Sequence, residues 1–343
     1  MAVFYDNPAL LNCWFALATE FEVRNGPIGR TLLGRKLVLF EDSAGEVQVA
    51  DDRCPHREAP LSTGRMEGGL LVCPYHGWSF GEGGKCVHIP SADPSMPIPR
   101  NGHLTRYRAQ VRYGLVWVCL GDDPGMLPEI SQDADAAFRR INNPVEHWRA
   151  SAVRMTDNFL DIAHFPWVHT GTFGSRQRTQ VGRINLESLD DGFHGYRYDV
   201  EAENPAGAQI VSGQHSDTVF RQMTTGFVLP FTVRSTITYE TGLHHVILLL
   251  SAPMDDVNSY FTFVVWRNDD FRISAEEAIA FDRQIGAEDK VMLEQIPGVL
   301  PLEPRGVAST QSDKASTAWR LQFTRMLGLG GSDERASEAG EIG

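Results

Sequence analysis

Two short strings, Cys54-Pro55-His56 and Cys73-Pro74-Tyr75-His76, constrain this chain more than any other feature. Each arm offers one thiolate and one imidazole beside turn-forming residues, with residues 57–72 between them. Two such arms can grip a [2Fe–2S] cluster. Two thiolates hold one iron and two neutral histidines the other, and imidazole in place of thiolate lowers the negative charge and raises the reduction potential over an all-cysteine cluster. The alternatives are a structural Cys2His2 zinc site and four unrelated residues. Zinc fingers usually pair like with like, two Cys and then two His, whereas each arm here mixes the two.

The surroundings of the arms read as strands. Between about residues 12 and 122 the segments RKLVLFED, EVQVADD, GLLVCPYHGWSF, KCVHIP and RAQVRYGLVWVCLG are separated by Gly-Gly and Pro signals, which predicts a small all-β unit. The Asp- and Pro-rich stretch GDDPGMLPEISQDAD at 121–135 is expected to cross into a second domain. Residues 150–164 lack Gly and Pro and suit a helix that Pro166 ends or kinks. From about 180 to 267 long alternating runs predict one antiparallel sheet. Ser274 followed by Glu277 reads as a capping box opening a helix that runs to about Ile296, and a further helix is expected over 313–327. The fold class is therefore α+β, with domains expected at 1–125 and 126–329. The small, polar, acidic tail over 330–343 is expected to be disordered.

A second constellation lies in DNFLDIAHFPWVHTGTFG, which contains Asn158, Asp161, His164 and His169. At about 100° per residue, Asn158, Asp161 and His164 spread over an arc of roughly 120° on one face of a continuous helix. His169 needs the break at Pro166 to swing round to the same place. Two histidines and a carboxylate make the facial triad that holds Fe(II) with open positions for oxygen. Asp289 is the candidate carboxylate. It falls on the apolar stripe Ala278, Phe281, Ile285, Met292, Ile296 of the late helix, where an uncompensated charge is costly. A helix-surface Asp paired with Lys290 is the alternative, and the adjacent Glu288 makes the stripe locally ragged. Asn158 either positions the ligands or caps a neighbour.

Composition excludes other classes. The 343 residues carry 31 Lys+Arg against 44 Asp+Glu, a net charge of −13, which repels phosphate backbones and anionic lipid, so neither nucleic acid nor membrane is an expected partner. The most apolar runs, HHVILLLSAP and YFTFVVW, are too short to span a bilayer, and a cytoplasmic location is expected. Five cysteines do not make a disulfide framework; Cys13, Cys86 and Cys119 sit singly in apolar segments as small buried thiols would.

Through CPHREAPLS, CPYHGWSF and the spacing Asp161-x2-His164-x4-His169, the chain resembles the Rieske non-haem iron oxygenases. The high-potential Rieske proteins of respiratory chains carry extra disulfide-linked cysteines in these loops and a serine near the second arm. Here Arg57-Glu58-Ala59 and Tyr75 stand in those places, which implies fewer hydrogen bonds to the sulfurs and a lower potential. The resemblance implies a Rieske β domain followed by a helix-grip catalytic domain. It also implies one [2Fe–2S] cluster on Cys54, His56, Cys73 and His76, and one mononuclear Fe(II) on His164, His169 and Asp289. In the family an aspartate matching Asp161 bridges from a ligand histidine, here His164, to a cluster histidine, here His76 of the partner subunit, in a homotrimer.

The function implied is that of an α-only terminal oxygenase, similar to aromatic O-demethylases, phenoxybenzoate oxygenases and toxin-pathway hydroxylases. Electrons come from NAD(P)H through a separate reductase or ferredoxin. The substrates are O2 and an aromatic or polycyclic small molecule, which is hydroxylated or demethylated, with monooxygenation favoured over dioxygenation. Two alternatives stay open: an electron-transfer protein whose second domain only binds a ligand, and a non-enzymatic ligand-binding module.

Overall fold

The computed structural model describes residues 4, 7–269, 272–302 and 306–329. The expected disordered tail over 330–343 lies outside the described residues. The described chain forms two compact units: one reaches to Met126 and includes Ala252–Asp255, and the other is built from the remainder.

In the first unit, strands β1 (Phe15–Thr19), β2 (Ile28–Leu32), β3 (Arg35–Glu41), β4 (Val47–Asp51), β9 (Arg106–Arg112) and β10 (Leu115–Cys119) form a sheet in the order β1-β10-β9-β4-β3-β2. Strands β5 (Arg65–Glu67), β6 (Leu70–Val72), β7 (Ser79–Phe80) and β8 (Cys86–His88) form a second, sequential sheet. Val38, Phe40 and Ala50 from the larger sheet pack with Leu71, Phe80 and Cys86 from the smaller one, and Cys54 and Cys73 are buried in this same core. The all-β reading overlooked two short helices, α1 (Pro8–Leu11) and α2 (Glu20–Arg24); Thr19 and Glu22 close a reciprocal capping box on α2.

The second unit has an eight-stranded antiparallel sheet: β11 (Arg139–Asn142), β12 (Glu146–Trp148), β13 (Glu187–Ser188), β14 (His194–Glu203), β15 (Thr218–Val228), β16 (Thr232–Tyr239), β17 (His244–Pro253) and β18 (Ser259–Arg267). Its order is β11-β18-β17-β16-β15-β14-β13, with β12 also paired to β18. Helices α3 (Ala152–Leu160), α4 (Phe165–Val168), α5 (Ala206–Ser212), α6 (Ala275–Leu293) and α7 (Lys314–Met326) accompany it. Ser274 caps α6 by accepting the Glu277 amide, and the helix lays Ala278, Ile279 and Phe281 against inward-facing strand residues such as Phe261, Phe263 and Met223.

Several expectations need correction. Helix α3 stops at Leu160, so Asp161 and His164 are not on its face; Asp161 is already extended, at φ −88° and ψ 146°. The Asp161 carboxylate accepts the amides of Ala163 and His164 at 2.9 and 3.0 Å, offering the backbone an alternative to the helical ladder. Pro166 accordingly lies in the first turn of α4 and helps start a helix where it was expected to end one. Helix α6 ends at Leu293 instead of Ile296, and its buried side takes Leu293 while Met292 is exposed. The stretch expected to be all sheet also contains α5, closed by Gly213 at φ 67°.

Candidate active site

The two cluster arms share one backbone frame. The Cys54 amide donates to Ala59 O at 2.9 Å and the Glu58 amide donates back to Cys54 O at 2.9 Å; the Cys73 amide donates to Trp78 O at 2.9 Å and the Gly77 amide to Cys73 O at 3.1 Å. The residue four beyond each cysteine turns left-handed, Glu58 at φ 60° and Gly77 at φ 69°. Both cysteines are free thiols within the core. Burial, more than any other influence, pushes the Cys54 thiol up to about 11. A thiol held that high ionises readily only against a cation or metal.

The His56 and His76 ring centroids lie 4.5 Å apart, and His56 stacks on Trp78 at 4.8 Å. His56 Nδ1 is buried with no hydrogen-bond partner, as expected of an atom kept for a ligand bond. His76 is exposed. Two buried thiols and two adjacent imidazoles, one with an orphaned nitrogen, fit a [2Fe–2S] cluster of mixed ligation.

In the second unit, His164, His169 and Asp289 come together as ligand atoms all within 4.8 Å of one another, drawn from the Asp161 turn, the end of α4 and the far part of α6. His164 Nε2 lies 3.1 Å from His169 Nε2, and Asp289 Oδ1 lies 3.5 and 3.4 Å from these two nitrogens. With ligand bonds of about 2.1 Å, donors 90° to 110° apart would be roughly 3.0 to 3.4 Å from one another, so this triangle is the size of one face of a metal's coordination shell.

The far nitrogens are held by carboxylates. His164 Nδ1 meets Asp161 Oδ2 at 2.9 Å and His169 Nδ1 meets Glu288 Oε2 at 2.8 Å, which turns each Nε2 lone pair to the shared point. Asn158 Nδ2 donates to Asp289 Oδ1 at 3.0 Å, so Asn158 positions the carboxylate. Thr172 Oγ1 donates to Glu288 Oε2 at 2.8 Å, and Gly171 leaves room for the other oxygen, because a Cβ there would sit 2.7 Å from Glu288 Oε1.

Burial opposes the charge of Asp289, which is only 6% exposed, yet its contacts with His164 and His169 outweigh that and hold its carboxyl well below the usual carboxylate range. Burial likewise opposes a charged His164, but Asp161 and Asp289 raise it to about 9. The site thus draws positive charge toward one point, and a divalent ion answers that demand directly.

Glu288 is the residue that motif reading missed. In the stripe of α6 it reads as raggedness, whereas its carboxylate meets His169 Nδ1; its one signal in the sequence is a second acid directly before a candidate ligand. The triad lies in the wall of a cavity of about 110 Å3 whose other sides are mostly apolar, with Phe159, Phe173, Ile237, Leu249 and Phe261 among them.

Relatives match both units. The family described as the Rieske [2Fe-2S] domain matches residues 13–108, and that described as the vanillate O-demethylase oxygenase C-terminal domain matches residues 148–328. Methylxanthine N1-demethylase NdmA of Pseudomonas putida is 30% identical over 324 residues, covering 91% of this chain and 87% of that protein. Dicamba O-demethylase oxygenase component of Stenotrophomonas maltophilia is 36% identical over 162 residues, 46% of this chain and 47% of the relative. Among solved structures, Pseudomonas putida CBB5 NdmA with caffeine superposes with a TM-score of 0.80 at 27% identity, covering 93% of this chain and 92% of that one. Relatives named as demethylases speak for the oxygenase and against the electron-carrier alternative. Family matches over both units, and one relative along nearly the whole length, leave a single placement: the chain belongs to the Rieske non-haem iron oxygenases, as a terminal oxygenase component with a [2Fe–2S] domain and an oxygenase domain.

Proposed function

We propose that this oxygenase uses O2 and electrons from NAD(P)H, delivered through a separate reductase or ferredoxin, to demethylate or hydroxylate an aromatic small molecule. The observation that carries this reading is the meeting of His164, His169 and Asp289 at one wall of an otherwise largely apolar cavity.

In this reading Cys54, His56, Cys73 and His76 hold the cluster, and His164, His169 and Asp289 hold a ferrous ion. When bound, the cluster supplies electrons singly and the ferrous ion supplies open positions at which O2 is activated. The chain's own residues do the rest. Asp161 and Glu288 accept the Nδ1 protons of the two histidines and fix their rings, while Asn158 holds Asp289 in place. Phe159, Phe173 and Phe261 exclude water and aim the substrate.

The exposure of His76 and the position of Asp161 in the wall of a second hollow, beside Arg154 and Leu300, support a relay from Asp161 to His76 of the partner subunit in a homotrimer. None of the described helices is long and apolar enough to cross a membrane. A cytoplasmic protein acting on small molecules fits the reading.

The test uses the iron-loaded protein with a surrogate reductase and a panel of methoxylated and methylated aromatics, scoring hydroxylated product, formaldehyde and O2 together. Formaldehyde matching O2 uptake selects demethylation, and ring or methyl hydroxylation without it selects hydroxylation. Fewer than three irons per chain, or no product from any substrate of the panel, would overturn the proposal.

A further inference from the structure

We propose that Arg221 recognises an anionic group on the substrate, so that the substrate class is an aromatic acid anion. The inference rests on the oxygenase reading above and deepens it. Strand β15 alternates, burying Val219, Arg221, Met223 and Thr225, so the pleat turns a guanidinium toward the same side as the apolar residues of the cavity. Arg221 is 5% exposed, and its Nε and Nη2 are buried without a hydrogen-bond partner. Its recorded contact is with the face of Phe173, 5.0 Å from the ring centroid.

The other buried arginines of this unit face carboxylates: Arg234 meets Asp191 at 2.8 Å, Arg267 meets Asp269 at 3.0 Å and Arg320 lies 3.3 Å from Asp157. Arg221 has no such counter-charge among the described residues, and a buried cation left unpaired is expensive. A ligand anion in the cavity would remove that cost.

The second charged group of the wall away from the triad is Asp282, and it does not serve as the counter-ion. It faces His245 Nε2 at 3.2 Å. Arg267 Nη1, which can only donate, lies 2.7 Å from His245 Nδ1, so the imidazole proton sits on Nε2, toward Asp282. Asp282 makes no ion pair with Arg221, and its Oδ2, like His245 Nε2, is buried without a hydrogen-bond partner.

Distance fits the assignment. Phe173 stacks against His169 with centroids 5.1 Å apart, so the guanidinium carbon lies within about 10 Å of the His169 ring. One benzene ring, with its acid group on Arg221 and its oxidised substituent at the triad, would bridge that interval. Carboxylate and sulfonate share the required chemistry, a planar or trigonal set of oxygens for a forked donor.

Calorimetric titration of iron-loaded protein tests this with 3- and 4-methoxybenzoate, 4-methoxybenzenesulfonate, and the neutral amides of the same acids. The wild type is expected to bind at least one anion about tenfold or more tighter than its amide, as a charge-assisted hydrogen bond allows. Arg221→Gln is expected to bring that ratio near unity while leaving amide binding in place. Arg221→Lys keeps the charge, loses the fork, and is expected to retain part of the preference. Equal binding of anions and amides by the wild type, no binding of either set, or an undiminished preference in Arg221→Gln would overturn the assignment. Should Arg221→Gln fail to melt cooperatively, the wild-type ratio and Arg221→Lys decide: full preference in the lysine variant counts against the fork. Anion binding that depends on Arg221 in a protein that consumes no O2 would sink the oxygenase reading and leave the anion site standing.

Discussion

The cluster arms and the triad of His164, His169 and Asp289 both bring together mixed donors, yet they are built differently. Each arm is a closed local frame: a cysteine whose amide and carbonyl bond to residues five and four further along, with a left-handed residue at the corner. The triad has no such frame. Asp289 reaches it from α6, more than a hundred residues after His169, and each histidine depends on a carboxylate for its orientation. A site assembled from distant segments is held by its supporting hydrogen bonds, so it should be sensitive to residues that never touch the metal, whereas the arms should be sensitive mainly to their own ligands and turns.

Ligand removal gives the largest expected effects and separates the two sites. Cys73→Ser is expected to lose about two of three irons, keep the third, and abolish turnover, because two thiolates hold one iron of the pair. His164→Ala is expected to do the reverse, losing the single iron while the rhombic paramagnetic signal of the reduced cluster persists. Iron analysis with paramagnetic resonance checks both, and loss of all iron in either variant would show that the sites are not independent.

Asp161 sharpens the contrast, because it both builds the turn and orients His164. Asp161→Asn keeps an oxygen for one of the two turn amides and is expected to retain all three irons while turnover falls by about 100-fold. Normal substrate oxidation by this variant would refute the relay. Asp161→Ala also removes the turn acceptor and is expected to weaken ferrous binding as well.

Glu288→Gln is expected to weaken ferrous binding by roughly 10-fold, read by chelator competition, with the cluster untouched. Gly174 tests the backbone beneath the same histidine. A Cβ there would sit 2.1 Å from Phe165 O and 2.9 Å from His169 O, so Gly174→Ala is expected to cost about 1 to 3 kcal/mol in denaturant unfolding. The smallest effect is expected from Asn158→Ala, a loss of about 3- to 10-fold in ferrous affinity as one hydrogen bond to Asp289 disappears.

The same contrast explains how far residue patterns carried the reading. The arms were visible because ligand, turn former and spacing are contiguous in CPHREAPLS and CPYHGWSF. Ser274 followed by Glu277 marked the start of α6 for the same local reason. The helical-face argument for Asn158, Asp161 and His164 named residues that do converge, but by the wrong geometry. It assumed an unbroken ladder, and the Asp161 side chain breaks that ladder by taking two amides for itself. Glu288 could not be distinguished from a surface acid, because its role is set by a histidine 119 positions away.

Read alone, the chain singled out the candidate ligands of both sites, the arms and the two histidines by residue type and short spacing and Asp289 by its place on the apolar stripe of α6. Only the folded sheet and α6 decided which carboxylate supports which histidine, which aromatic rings wall the cavity, and that Arg221 lies inside it without a counter-charge. Those outcomes depend on the pleat, on strand register and on helix packing, which bring distant residues within a few ångströms, and no local pattern in the residues records that proximity.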